Sequence, residues 1–176
     1  MPYINIPSEL EGMRGLLAFR PAIAPALTAL TETILRSDEG LSMGQRELIG
    51  AYVSSLNNCH ICQCVHSAAA QCLLAETSGL VDKVIENYEN APLSNKMKAL
   101  LTIAAGVQRS GKDVLPEHID KARIAGANDL EIHDTVFIAA LFAMFNRYLD
   151  GLGMVSLSSN DILAERGKNL AIHGYK

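Results

Sequence analysis

Residues 57–70 read NNCHICQCVHSAAA and hold three of the four cysteines and two of the five histidines of the chain. Thiols beside imidazoles can carry redox chemistry, bind a metal or fill a core. On a helix turning about 100° per residue, Cys59, Cys62 and His66 stand at i, i+3 and i+7 and share one face. Cys64 lies about 160° from Cys62, on the far side. Cys72 groups with Val65, Ala68 and Ala69, and this apolar stripe reads as core. The reactive set is a Cys-x-x-Cys pair with one histidine a turn beyond it.

Cys59 and Cys62 fall in the first turn of that helix, where four backbone N–H groups lack intrahelical partners and the dipole favours anions. Both effects favour the thiolate, which is the nucleophile toward peroxides and disulfides. One turn also brings the two Cβ atoms within reach of a disulfide after modest adjustment. Helix position alone favours Cys59 as the reactive sulfur. Glu47 stands twelve residues before Cys59. In a helical hairpin turning at Asn57 and Asn58 it runs back beside the second helix, and three turns of about 5.4 Å bring it near His66. Leu48, Ile49 and Tyr52 flank it, so its carboxylate is expected to be partly buried. A carboxylate beside an imidazole orients the ring and takes its proton. His60, next to the turn, is an auxiliary candidate.

Helices must position these groups, because no stretch reads as a strong strand. Ser8 with Glu11, Ser42 with Gln45 and Asn128 with Glu131 are capping boxes that open helices. Pro21 breaks the first helix, and Pro25 and Pro116 suit first turns of later ones. Asn57 or Asn58 can cap the reactive helix, which is expected over Cys59 to Glu76, closed by Ser78 and Gly79. The longest helix spans about Leu130 to Leu149, and a last one covers NDILAERGKNLA. The expected fold is an all-α bundle of about eight helices in one domain, 1–176, with its core hairpin at 42–77.

Composition agrees. Apolar residues make up 49% and charged residues 19%, a globular balance. Aromatics are scarce and tryptophan is absent, which suits closely packed helices. The net charge is −4 with no basic run, so no nucleic-acid partner is expected. The longest nearly apolar run, Thr135 to Phe145, is too short to span a bilayer, and the first residues lack the pattern of a signal peptide. The chain reads as cytoplasmic, where clustered cysteines point to redox, metal or packing roles rather than structural disulfides.

The spacing Glu47, eleven residues, Cys59-x-x-Cys62, three residues, His66 resembles the alkylhydroperoxidase D and carboxymuconolactone decarboxylase-like family, and more closely its peroxidase-related branch. FNRYLDGLG, Phe145 to Gly153, resembles a second segment of that branch. The resemblance implies an alkylhydroperoxidase-like helical fold and a peroxidase using the cysteine pair. Cys62 would attack peroxide, Cys59 would resolve the sulfenic acid as a disulfide, and Glu47 with His66 would relay the proton. No haem, flavin or metal is implied. The expected partners are a hydroperoxide, an external dithiol reductant of thioredoxin-like or lipoyl type, and further copies of the chain as dimer, trimer or hexamer. The sequence departs from the pattern at Ile61, where the characterised enzyme has a histidine; here the imidazole is one residue earlier, at His60.

Other readings of the residues stand beside this one. The pair suits a dithiol–disulfide oxidoreductase or redox sensor with little peroxide turnover. Cys59, Cys62, His66 and Glu47 could also hold zinc, although helix i, i+3, i+7 geometry restricts such a site. A helical scaffold would leave the thiol face unexplained. Asn146, Arg147 and Asp150 read as packing or subunit contacts, and His133 as surface.

Overall fold

A computed structural model describes residues 2–7, 10–75, 79–154 and 158–175. Its reactive hairpin is α3 (Met43–Leu56) and α4 (His60–Leu73). Before it come α1 (Gly12–Phe19) and α2 (Ala24–Leu35); after it come α5 (Leu80–Asn87), α6 (Asn95–Arg109), α7 (Pro116–Ile124), α8 (Asp129–Gly151) and α9 (Asn160–His173). Among the described residues there are nine α-helices, two short 3-10 turns and no strand. None of these helices is long and apolar enough to cross a membrane.

The sequence explains most of the boundaries. Ser42 Oγ accepts from the Gln45 amide at 3.3 Å, and the Gln45 side chain accepts from the Ser42 amide at 3.0 Å. Asn128 and Glu131 make the same reciprocal pair at 2.9 Å. Each box satisfies two donors that a helix start leaves free. Pro25 and Pro116 occupy first turns, and Pro21 opens a 3-10 turn after α1 ends.

Several expectations need correction. Ser8 lies outside the described residues, and α1 starts at Gly12 with Glu11 as its N-cap residue. The N-cap of α4 is Cys59, not an asparagine. Asn57 is engaged elsewhere: its amide donates to Asn146 Oδ1 at 2.8 Å, and its carbonyl oxygen accepts from Gln108 at 2.8 Å. Asn58 takes the positive φ of 56° that turns the chain. The reactive helix stops at Leu73; Glu76 and Ser78 lie outside the described residues. Cys72 is exposed rather than core. It continues the buried stripe by angle, but α4 ends one residue later, and a stripe stays dry only as far as something covers it.

Two glycines set how closely the helices approach the hairpin. A Cβ on Gly50 of α3 would come within 2.3 Å of the Phe142 ring, so only glycine lets α8 lay Phe142 against α3. A Cβ on Gly167 of α9 would come within 2.1 Å of the Val65 carbonyl oxygen and 2.7 Å of Ala68 Cβ. Mid-helix glycine costs about 1 kcal/mol against alanine, offset here by the close packing it permits. The main core gathers Leu48, Ile49, Val53, Leu100, Ile138 and Phe142, all at or near zero exposure. A smaller apolar cluster holds Leu16, Leu149 and Met154 around Cys59 and Cys62.

Candidate active site

The hairpin register carries Glu47 back along α3 to His66 on α4. Glu47 Oε2 lies 2.7 Å from His66 Nδ1. The carboxylate is fully buried, where partial burial was expected. A carboxylate only accepts, so the proton of this contact sits on Nδ1, and in a neutral ring Nε2 keeps the lone pair. The second oxygen, Oε1, accepts from Arg36 Nη2 at 3.1 Å and from the Tyr175 hydroxyl at 2.7 Å. That hydroxyl is also 3.3 Å from His66 Nδ1, and the Tyr175 and His66 rings stack with centroids 6.3 Å apart. The imidazole and Phe142 rings stand nearly perpendicular, with centroids 4.5 Å apart. Burial first, then the Glu47 charge and hydrogen bond, push the Tyr175 phenol well above its ordinary value. Tyr175 is therefore a protonated donor. The Arg36 guanidinium sits 5.2 Å above its ring, and Glu32 accepts the Tyr175 amide at 2.7 Å.

The two thiols are buried at the start of α4, with Cys59 as the N-cap residue and Cys62 three residues on. The two thiols are hydrogen-bonded to each other. This hydrogen bond, opposed by burial and by the Asp150 charge and helped by the Cys62 amide and the Asn146 side chain, holds the Cys59 thiol below its ordinary value. The same bond, with burial and the Cys59 charge adding to it, pushes Cys62 well up. Of the two sulfurs, Cys59 is the one at the helix N-terminus, where the dipole favours negative charge. Asn146, fully buried on α8, serves both sulfurs and is itself bonded to Ser54 at 3.3 Å and to Asn57 at 2.8 Å.

Access divides the pair differently. Cys62 and His66 line a cavity of about 470 Å³ between α1, α2, α4, α8 and α9, with Tyr175 also in its wall. Cys59 does not line it. The other sequence candidates lie elsewhere. His60 is exposed, with Nε2 3.0 Å from Asn160 Oδ1 and its ring 3.6 Å from the Cys64 sulfur. Burial pushes the Cys64 thiol up. Among the described residues no three His, Cys, Asp or Glu side chains converge as a metal site would require, so the zinc arrangement of Cys59, Cys62, His66 and Glu47 is not formed.

Three residues of this site escape sequence reasoning. Sequence pattern alone assigns Asn146 to packing, although it lies in the distinctive segment FNRYLDGLG. Arg36 and Tyr175 gave no signal: Tyr175 is 128 positions from Glu47 and arrives only because Gly167 lets α9 lie on α4.

Solved structures resemble the chain, among them the following two. A protein from Ralstonia eutropha JMP134, described as an alkylhydroperoxidase AhpD core and an uncharacterized peroxidase-related protein, superposes with a TM-score of 0.78 at 27% identity, covering 90% of this chain and 82% of that one. An uncharacterized peroxidase-related protein from Silicibacter sp. TM1040 superposes with a TM-score of 0.73 at 29% identity, covering 80% and 73%. No protein-family model matches the chain, and no curated protein does.

Proposed function

We propose, from the chain's likeness to solved alkylhydroperoxidase-core and peroxidase-related proteins, that it is a peroxidase of that kind and reduces hydroperoxides with the Cys59 and Cys62 pair. The observation that carries the reading is the placing of the sulfurs: Cys62 lines the cavity together with His66, whose ring is held by Glu47, and Cys59 stands one helical turn before it, outside the cavity wall.

In the proposed reaction a hydroperoxide enters the cavity. His66 takes the Cys62 proton while Glu47 holds the Nδ1 hydrogen and steadies the imidazolium. The Cys62 thiolate attacks the terminal peroxide oxygen; the O–O bond breaks, Cys62 becomes a sulfenic acid, and the alkoxide takes the proton from His66 and leaves as an alcohol. The Cys59 thiol then gives up its proton as its sulfur attacks the Cys62 sulfur; the S–O bond breaks, and the departing hydroxide takes that proton and leaves as water. The product is a Cys59–Cys62 disulfide. An external dithiol of thioredoxin-like or lipoyl type returns both sulfurs to the reduced state and becomes a disulfide itself. The low Cys59 thiol suits a resolving nucleophile, and the high Cys62 thiol explains why the attacking sulfur needs the Glu47–His66 base.

A Cys59→Ser variant exposed to peroxide and a sulfenic-acid trap tests this order. The expected adduct is on Cys62, which then has no partner to resolve it. An adduct absent from Cys62, with peroxide still consumed by wild type, would put the chemistry on another sulfur. The low Cys59 thiol by itself also favours a second reading, simple dithiol–disulfide exchange. In that case wild type would exchange disulfides rapidly without accelerating peroxide loss.

A further inference from the structure

The cavity at Cys62 is far larger than hydrogen peroxide needs. At about 470 Å³ it falls in the range of sites that enclose an organic ligand of many atoms. Leu17, Leu27, Val65, Phe142, Phe145 and Leu170 give it apolar walls. Three side chains of fixed charge also line it: Glu11, Arg14 and Arg166. Two of them cancel, because Arg166 Nη1 donates to Glu11 Oε1 at 2.6 Å. Glu11 is held further by the Ser158 amide at 3.2 Å. Arg14 has no hydrogen-bond or ion-pair partner among the described residues, and it is exposed while also lining the cavity. Among the described lining residues it is the one fixed charge without a counter-ion.

We infer that the site takes an amphiphilic, anionic hydroperoxide: a long apolar body that fills the cavity, a peroxide group at Cys62, and an acidic end group held at the rim by Arg14. This deepens the proposed peroxidase reading and rests on it for the fate of the peroxide. A guanidinium pairs with a carboxylate through two parallel N–H bonds. The apolar walls exclude a fully hydrated ion but welcome a chain, so chain and acid are recognised in different parts of the site. An exposed ion pair is screened by salt, and its contribution belongs to binding rather than to the bond-breaking step. Arg14 is then a specificity-determining residue.

The test compares an unsaturated fatty-acid hydroperoxide with its methyl ester in wild type, Arg14→Gln and Arg14→Lys, with hydrogen peroxide as the small reference. Wild type should favour the acid over the ester in kcat/KM by on the order of tenfold, through KM, and the advantage should shrink as salt is raised. In Arg14→Gln the acid-to-ester ratio should fall toward one, and Arg14→Lys should restore part of it. A ratio that is the same in wild type and Arg14→Gln overturns the assignment, as does a wild type that turns over hydrogen peroxide faster than either lipid. A second measurement needs no chemistry: binding of decanoate and of methyl decanoate to the reduced wild-type and Arg14→Gln proteins by calorimetry. Binding of decanoate that weakens in Arg14→Gln, with no turnover of any peroxide, keeps the ligand class and removes the peroxidase reading. Turnover of peroxides with decanoate binding indifferent to Arg14 does the reverse.

Discussion

Arg46 and Glu47 are neighbours on α3, both fully buried and both ionic, yet their surroundings differ in kind. Arg46 donates to three backbone carbonyls, those of Leu41 at 3.0 Å, Ile34 at 2.8 Å and Glu39 at 2.5 Å, and pairs with Asp134 of α8 at 2.8 Å. Its partners are fixed backbone and one carboxylate, so the network ties the α2–α3 connection and α8 to α3. Glu47 faces a group that exchanges its proton, His66, together with a phenol and a guanidinium. This network is also incomplete: Arg36 Nε and Nη1 are buried without a partner. One step of about 100° along a helix separates a clamp from the proposed relay. Burial of charge alone does not mark function. What separates the two is whether the hydrogen bonds close on backbone or lead, through a titratable ring, to a cavity.

That contrast can be broken at either side. Arg46→Met should cost most, because it takes the guanidinium from Asp134, which keeps His133 at 3.0 Å, and leaves three carbonyls without their donor. Unfolding free energy should fall by about 3–5 kcal/mol in a denaturant titration, while turnover per folded molecule holds. Glu47→Gln should do the opposite. The protein should still fold, and peroxide turnover should drop on the order of 10²-fold, since the amide neither steadies the imidazolium nor fixes its tautomer. Equal losses of stability and activity in the two variants would erase the distinction. Tyr175→Phe keeps the ring under Arg36 and removes one donor from Glu47. A loss of about tenfold in turnover is expected, smaller than for Glu47→Gln. The smallest effect concerns pH. Burial alone would raise the Glu131 carboxyl, but the Lys96 ammonium at 2.6 Å and the Asn128 amide outweigh it and hold it below its ordinary value. The unfolded chain then takes up this proton at higher pH than the folded one. The stabilisation is complete above the unfolded value and is lost as pH falls through the lower folded value. Acid titration of Lys96→Met should lack that increment.

The hairpin was legible because local signals agreed: a capping box at Ser42, a turn at Asn57 and Asn58, and a helical period on both sides. Given that turn, the register of Glu47 against His66 followed from helix geometry, and the structure places the two side chains in contact. The failures share a cause. Angle on a helix told which way Cys72 points but not that its cover ends, and cap preference at Asn57 yielded to hydrogen bonds with Asn146 and Gln108. Arg36, Asn146 and Tyr175 reach the site through packing of distant helices, for which no local pattern exists. Gly50 and Gly167 hold that information, but as ordinary glycines within helices they do not disclose their partners.

The most direct test of the account is a single-turnover reaction of the reduced protein with an organic hydroperoxide, following peroxide loss and mapping the cysteines by mass spectrometry. The account predicts one peroxide consumed per chain, a Cys59–Cys62 disulfide formed in step with the alcohol, and no such reaction in Cys62→Ser. Peroxide consumed at the wild-type rate by Cys62→Ser, or no disulfide between Cys59 and Cys62 in the wild type, would contradict it.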